Sequence, residues 1–195
     1  MTIVGTPDAD TLTGTAEDDR IEGLAGNDTL DGLEGGDSLL GGPGNDVLSG
    51  GDGTDDLSGE DGDDALSGGA GYDLLAGGAG NDAIDGGGGI DTLVLSGQPG
   101  DYLIHEIAPA TDTTPGVYSI TDLKPRDGVD TFTNIERIRF PGRELPLADM
   151  LNRAPTDIVL EHVPATGPKV FENAAQGTLV AVLSGVDPDP GDVFT

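Results

Sequence analysis

Ten aspartates stand nine residues apart: Asp10, Asp19, Asp28, Asp37, Asp46, Asp55, Asp64, Asp73, Asp82 and Asp91. Carboxylates at so regular a spacing are candidate ligands for a cation, provided the chain can stack them. The residues around each aspartate repeat too. From Gly5 to Val94 every nonapeptide has Gly first, Asp sixth and Leu or Ile eighth.

A period this strict is the signature of a solenoid. The last three positions of each unit suit a short strand, with the eighth residue turned to one face and its neighbours to the other. The glycine-rich first six read as a turn, where Gly in the second and fourth columns permits positive φ. Two turns and two strands close one coil, so residues eighteen apart should stack. The aspartates then form two ladders, Asp10, Asp28, Asp46, Asp64 and Asp82 on one edge and Asp19, Asp37, Asp55, Asp73 and Asp91 on the other.

Stacked strands lie about 4.8 Å apart. Two carboxylates at that distance repel by on the order of 1 kcal/mol in water and a few at a lower effective dielectric. A cation midway would be roughly 2.4 Å from each, within the Ca²⁺–oxygen range, with turn carbonyls as further oxygen ligands. Calcium is therefore the expected metal. A disordered acidic chain has no need of Leu or Ile at every ninth place, although disorder suits the calcium-free chain. A phosphate loop at Gly77–Gly80 is excluded, because Asn81 and Asp82 follow where a Lys is required. A purely structural solenoid with solvated aspartates is the third competitor.

In this register residues 5–94 resemble the RTX family of parallel β-rolls. The resemblance implies an all-β fold with calcium between successive turns, held by the sixth-position carboxylates and by carbonyls of the turn glycines and third-position residues. It implies roughly eight ions. The first two units depart from the pattern, with Thr6 and Thr15 in the second column and Asp8 and Glu17 in the fourth. They read as an atypical end of the roll.

The whole chain of 195 residues has a formal charge of −29. The repeat block holds 22 acids against the single Arg20, about −21. Such a surface argues against nucleic acid and anionic membranes as partners and favours cations. There is no cysteine, so neither a disulfide nor a thiolate is available. No apolar run approaches the roughly 20 residues of a membrane span, and Met-Thr-Ile-Val-Gly leads into the repeats without a cleavable leader. Relatives of this type leave Gram-negative cells unfolded through type I secretion machinery, guided by an uncleaved C-terminal signal. The resemblance therefore implies a secreted or cell-surface protein.

Over 95–151 glycine thins out and alternating segments predict strands at 102–107, 117–123 and 135–140. The segment 127–140 is similar to the region that commonly follows RTX arrays. By that resemblance 95–151 is a β-rich cap burying Tyr102, Tyr118, Ile138 and Phe140, with one helical turn at Leu147–Leu151. Residues 152–195 read as a linker and the opening of a cadherin-like β-sandwich, in which Glu172, Asp187 and Asp189 match that family's calcium ligands. A sandwich of about 100 residues would run well past Thr195; the terminal Asp-Val-Phe-Thr is alternatively an export signal.

Catalytic motifs are missing. His105 and His162 belong to no His-Glu-x-x-His helix, and Ser96 and Ser184 to no Gly-x-Ser-x-Gly elbow. The expected function is that of a noncatalytic calcium-binding segment, structural or adhesive, with cell-surface or matrix ligands as partners. The alternative is a folding and export module of an RTX enzyme whose catalytic domain lies elsewhere.

Overall fold

The computed structural model describes residues 1–111, 113–124, 126–151, 160–161 and 169–170. Eleven strands carry the chain from Thr2 to Val94: β1 (Thr2–Val4), β2 (Thr11–Thr13), β3 (Arg20–Glu22), β4 (Thr29–Gly35), β5 (Ser38–Pro43), β6 (Val47–Gly53), β7 (Asp56–Asp61), β8 (Ala65–Gly71), β9 (Leu74–Ala79), β10 (Ala83–Gly89) and β11 (Thr92–Val94). Each nonapeptide turn reverses the chain, so odd and even strands fall into two sheets. Within each sheet these neighbours are parallel and eighteen residues apart. Leu30 lies opposite Leu48, Leu48 opposite Leu66 and Leu66 opposite Ile84; on the facing sheet Ile21, Leu39, Leu57 and Leu75 align the same way. The expected parallel solenoid is the observed one.

The eighth column is its interior. From Ile21 to Leu93 all nine of these side chains are at most 3 % exposed, while Leu12, in the first coil, is only half-buried. Burying each is worth roughly 1.5–3 kcal/mol.

Strands β4 to β10 are longer than the three residues expected. β6, for example, runs on through the first column of the next unit to its fourth. Pairing skips the first-column Gly50 and resumes with Gly51, Asp52 and Gly53 opposite Gly69, Ala70 and Gly71. Glycine has little intrinsic strand preference, so these columns read as turn. In a stack of congruent coils, however, each turn meets the next at the strand spacing and its backbone groups pair regardless of side chain.

Beyond the roll come a 3₁₀ turn at Pro99–Asp101, β12 (Tyr102–Ala108), β13 (Val117–Asp122), β14 (Val129–Thr133), β15 (Arg137–Phe140), β16 (Arg143–Pro146) and the helical turn α1 (Leu147–Leu151). β14 and β16 were not expected, and the strand expected from residue 135 begins at Arg137. β12, β13 and β14 form an antiparallel meander. β14 then lies parallel on β10, Phe132 opposite Ile84, and β15 lies parallel on β11, Ile138 opposite Leu93. Phe132 and Ile138 thus prolong the interior column by one coil. Tyr102, Ile138 and Phe140 are buried as expected, but Tyr118 is only half-buried. It sits one strand beyond the last coil, where stacking on Phe132 at 5.4 Å between ring centroids covers one side. Arg126 pairs with Asp101 and Asp122, each at 3.0 Å, alongside this meander.

The chain divides into two compact units, Met1–Met150 and Leu151–Thr195. In the second, the described strands are β17 (Leu160–Glu161) and β18 (Lys169–Val170), an antiparallel pair. Glu172, Asp187 and Asp189, the expected cadherin-like ligands, lie outside the described residues, as does His162. His105 is exposed on β12.

Candidate metal centre

Each sixth-column aspartate ends a turn, where the eighteen-residue register places it against its counterpart in the next coil. On the first edge the amides of Asp10, Asp28, Asp46 and Asp64 each donate to Oδ1 of the following aspartate at 2.7–2.9 Å. On the second edge the amides of Asp19, Asp37, Asp55 and Asp73 do the same at 2.8–2.9 Å. The ten residues singled out by spacing are therefore assembled into two continuous rows.

One carboxylate oxygen of each aspartate after the first in its row is used in this way. Its partner, Oδ2, is buried without any hydrogen bond at Asp28, Asp37, Asp46, Asp55, Asp64, Asp73, Asp82 and Asp91. Eight such oxygens in one small fold demand an explanation, because a buried acceptor with no partner costs about 1–3 kcal/mol, more when charged. Their surroundings fit a hard cation. The first-column glycines leave a cradle lined by oxygen: a Cβ on Gly68 would stand 2.5 Å from Asp73 Oδ2 and 2.6 Å from the carbonyl oxygen of Gly86 in the next coil. No three Asp, Glu, His or Cys side chains among the described residues converge tightly enough to hold a metal. A cation here would rely on one or two carboxylates and on main-chain carbonyls, all hard oxygen donors of the kind calcium takes.

The electrostatics agree. Burial pushes Asp55, Asp64 and Asp91 up to about 6, and it raises Asp37, Asp46, Asp73 and Asp82 as well. The protein alone supplies no countercharge to most of the row. Asp19 is the exception, held low first by the amino terminus, whose nitrogen lies 2.6 Å from its Oδ1.

The first two units differ in a way their sequence only hinted at. Thr6 donates to Asp10 Oδ2 from its amide at 2.6 Å and its hydroxyl at 2.9 Å. Thr15 does the same for Asp19 Oδ2 at 2.6 and 2.8 Å. These threonines replace the second-column residue of a regular turn and satisfy the oxygen left bare elsewhere. Neither Asp8 nor Glu17 takes positive φ; among the described non-glycine residues that conformation falls to Leu24, Leu33, Glu60 and Asn134.

A third ladder was also missed. Fifth-column Asn27, Asn45 and Asp63 accept from the amides of Asn45, Asp63 and Asn81 at 2.8–3.1 Å. Its signal is the Asn or Asp in the fifth column of alternate units.

The threonine contacts predict a gradient along the roll. Asp46→Ala or Asp64→Ala removes a carboxylate that faces two gaps, whereas Asp10→Ala removes one whose free oxygen Thr6 already satisfies. Calcium titrations followed by circular dichroism should show a clear loss of cooperativity for the first two variants and a small one for the third. Equal effects at all three would mean that the register is misassigned.

The model of the RTX calcium-binding nonapeptide repeat, in four copies, matches residues 4–39, 31–66 and 58–93. Comparison with curated proteins gave no match. No described helix is long and apolar enough to cross a membrane. Repeat motif, parallel coils and rows of buried aspartate converge: residues 4–93 are an array of RTX calcium-binding nonapeptide repeats folded as a parallel β-solenoid.

Proposed function

We propose that the roll is a noncatalytic scaffold in a secreted or surface-attached bacterial protein, open inside the cell and folded by extracellular calcium. The observation that carries this reading is the set of eight buried, unpartnered aspartate oxygens. Asp28 to Asp91 would hold the ions together with turn carbonyls. Bound calcium would supply the positive charge that lets facing carboxylates approach.

The residues themselves explain why the segment responds to calcium level. Its formal charge near −21 resists compaction until it is neutralised. Sites of the extracellular kind have dissociation constants of about 10⁻⁴–10⁻³ M, and stabilisation scales with ligand concentration over that constant. Small-angle scattering across a calcium titration, on the full chain and on one ending at Val94, is the test. The expected midpoint is in the range of roughly 0.1–1 mM for the full chain, with a weaker response for the shorter one. Half-compaction below about a micromolar, the range of cytosolic buffers, would overturn the export switch. An identical response of the two chains would remove the capping role of 95–151.

A further inference from the structure

The rows of aspartate do not stop where the nonapeptides stop. Asp82 donates its amide to Asp130 Oδ1 at 3.0 Å, and Asp91 donates to Glu136 Oε2 at 2.8 Å. Each repeats the link between successive ladder aspartates, although the sequence separation jumps from 18 to 48 and 45. The other features of a regular coil recur with them. Gly128 bridges Gly80 in the fourth-column position with φ of 81°. The Val129 amide donates to Asn81 Oδ1, continuing the fifth-column ladder, and the Thr131 amide donates to the Asp82 carbonyl as the seventh-column residues from Thr29 to Thr92 do to theirs. Phe132 and Ile138 fill the eighth column.

At the opposite end Thr6 and Thr15 satisfy the free oxygens of Asp10 and Asp19. Nothing comparable happens here. Asp82 Oδ2 and Asp91 Oδ2 are unpartnered on side chains 2 % and 0 % exposed. A pocket of about 160 Å³ at this end of the roll is lined by Asp127 and Asp130 together with Gly77, Gly78, Leu95 and Ser96. Asp130 is buried, whereas Asp127 is engaged by the Ser96 and Tyr102 hydroxyls. On the second edge the carbonyl of Asn134 faces the Gly86 cradle, as the Gly86 carbonyl faces that of Gly68. Asn134 reaches this position with φ of 53°. From Asn134 to Glu136 is two steps where a regular turn has five, and the longer Glu side chain spans the shortfall.

We infer that residues 128–136 complete one further cation site on each edge of the roll, Asp130 facing Asp82 and Glu136 facing Asp91. The inference rests on the calcium reading above. It shifts the set of sites by one coil: the first gap on each edge is closed by threonine, and the last is completed by a segment outside the repeats. The ligand is a divalent cation of calcium's size, held by two carboxylates and turn carbonyls.

Counting bound calcium per full-length chain by equilibrium dialysis, with circular dichroism on the same samples, tests this. Asp130→Asn and Glu136→Gln should each lower the count by one, and the double variant by two, with the β signal retained in saturating calcium. Asp122→Asn, which disturbs the Arg126 ion pair in the same segment, should leave the count unchanged. An unchanged count in Asp130→Asn and Glu136→Gln overturns the inference, as does an equal loss in Asp122→Asn. If Asp130→Asn unfolds the roll, the exposed Glu136 carries the test by itself. A wild-type chain that binds no calcium would instead refute the ladder reading on which the inference rests.

Discussion

Adding a chelator to the folded chain at neutral pH is expected to abolish most of the parallel β signal of residues 5–94. Each nonapeptide inserts one Leu or Ile into the interior, and no aromatic residue of the repeats joins the core. The backbones to be ordered include many glycines, which lose the most freedom on folding. The aspartate rows add a direct penalty. A carboxyl raised in the fold contributes stability below its ordinary value near 4, and that contribution is lost as pH rises through the folded value. For Asp55, Asp64 and Asp91, raised to about 6 by burial, the loss at neutral pH is on the order of 3 kcal/mol each. Magnesium should restore little, since it demands near-octahedral geometry at about 2.0–2.1 Å. A β signal unchanged in excess chelator would show that the coils stand without metal.

Gly44→Val is expected to break the roll even in saturating calcium. Gly44 has φ of 149°, and a Cβ there would overlap the main-chain oxygen of Gly26 in the preceding coil. The backbone strain alone is worth about 1–3 kcal/mol. The clash is with backbone that has no rotamer to change, so the total should reach the exceptional class of about 4–5 kcal/mol or more. Gly88→Ala is the matched control: it lies outside the positive-φ set, and its nearest foreign atom would be 4.0 Å away. Urea denaturation of the two full-length variants in calcium should separate them widely. Coincident midpoints would mean that the coils are not packed at strand spacing through their turns.

The spacing of Asp and Leu was enough to read the coil, its eighteen-residue stacking and the composition of both aspartate rows, because side-chain identity carries those features. Backbone pairing through the turns was not legible, since glycine columns look the same whether or not their amides find partners. Thr6 and Thr15 looked like defects; only the hydrogen bonds to Asp10 and Asp19 show what they replace. Asp130 and Glu136 escaped notice for a different reason. Each stands two residues before a buried apolar side chain, as the ladder aspartates from Asp19 on do, but a meander intervenes and the second turn is three residues short. A search at fixed period passes over both.

A stack of congruent parallel coils has no intrinsic length, because the outer edge of its last strand is a template for another strand, from the same molecule or from a second one. Here the parallel run of coils is interrupted. Both sheets end, past the roll, in strands running antiparallel to their neighbours: β16 on β15, and the β12–β13 pair beyond β14. β16 also carries exposed Arg143, and its Glu144 is clamped by Arg137 and Arg139. At the other end β1 and β2 are only three residues long. An incoming molecule therefore meets reversed polarity and charge at one end and a brief ledge at the other.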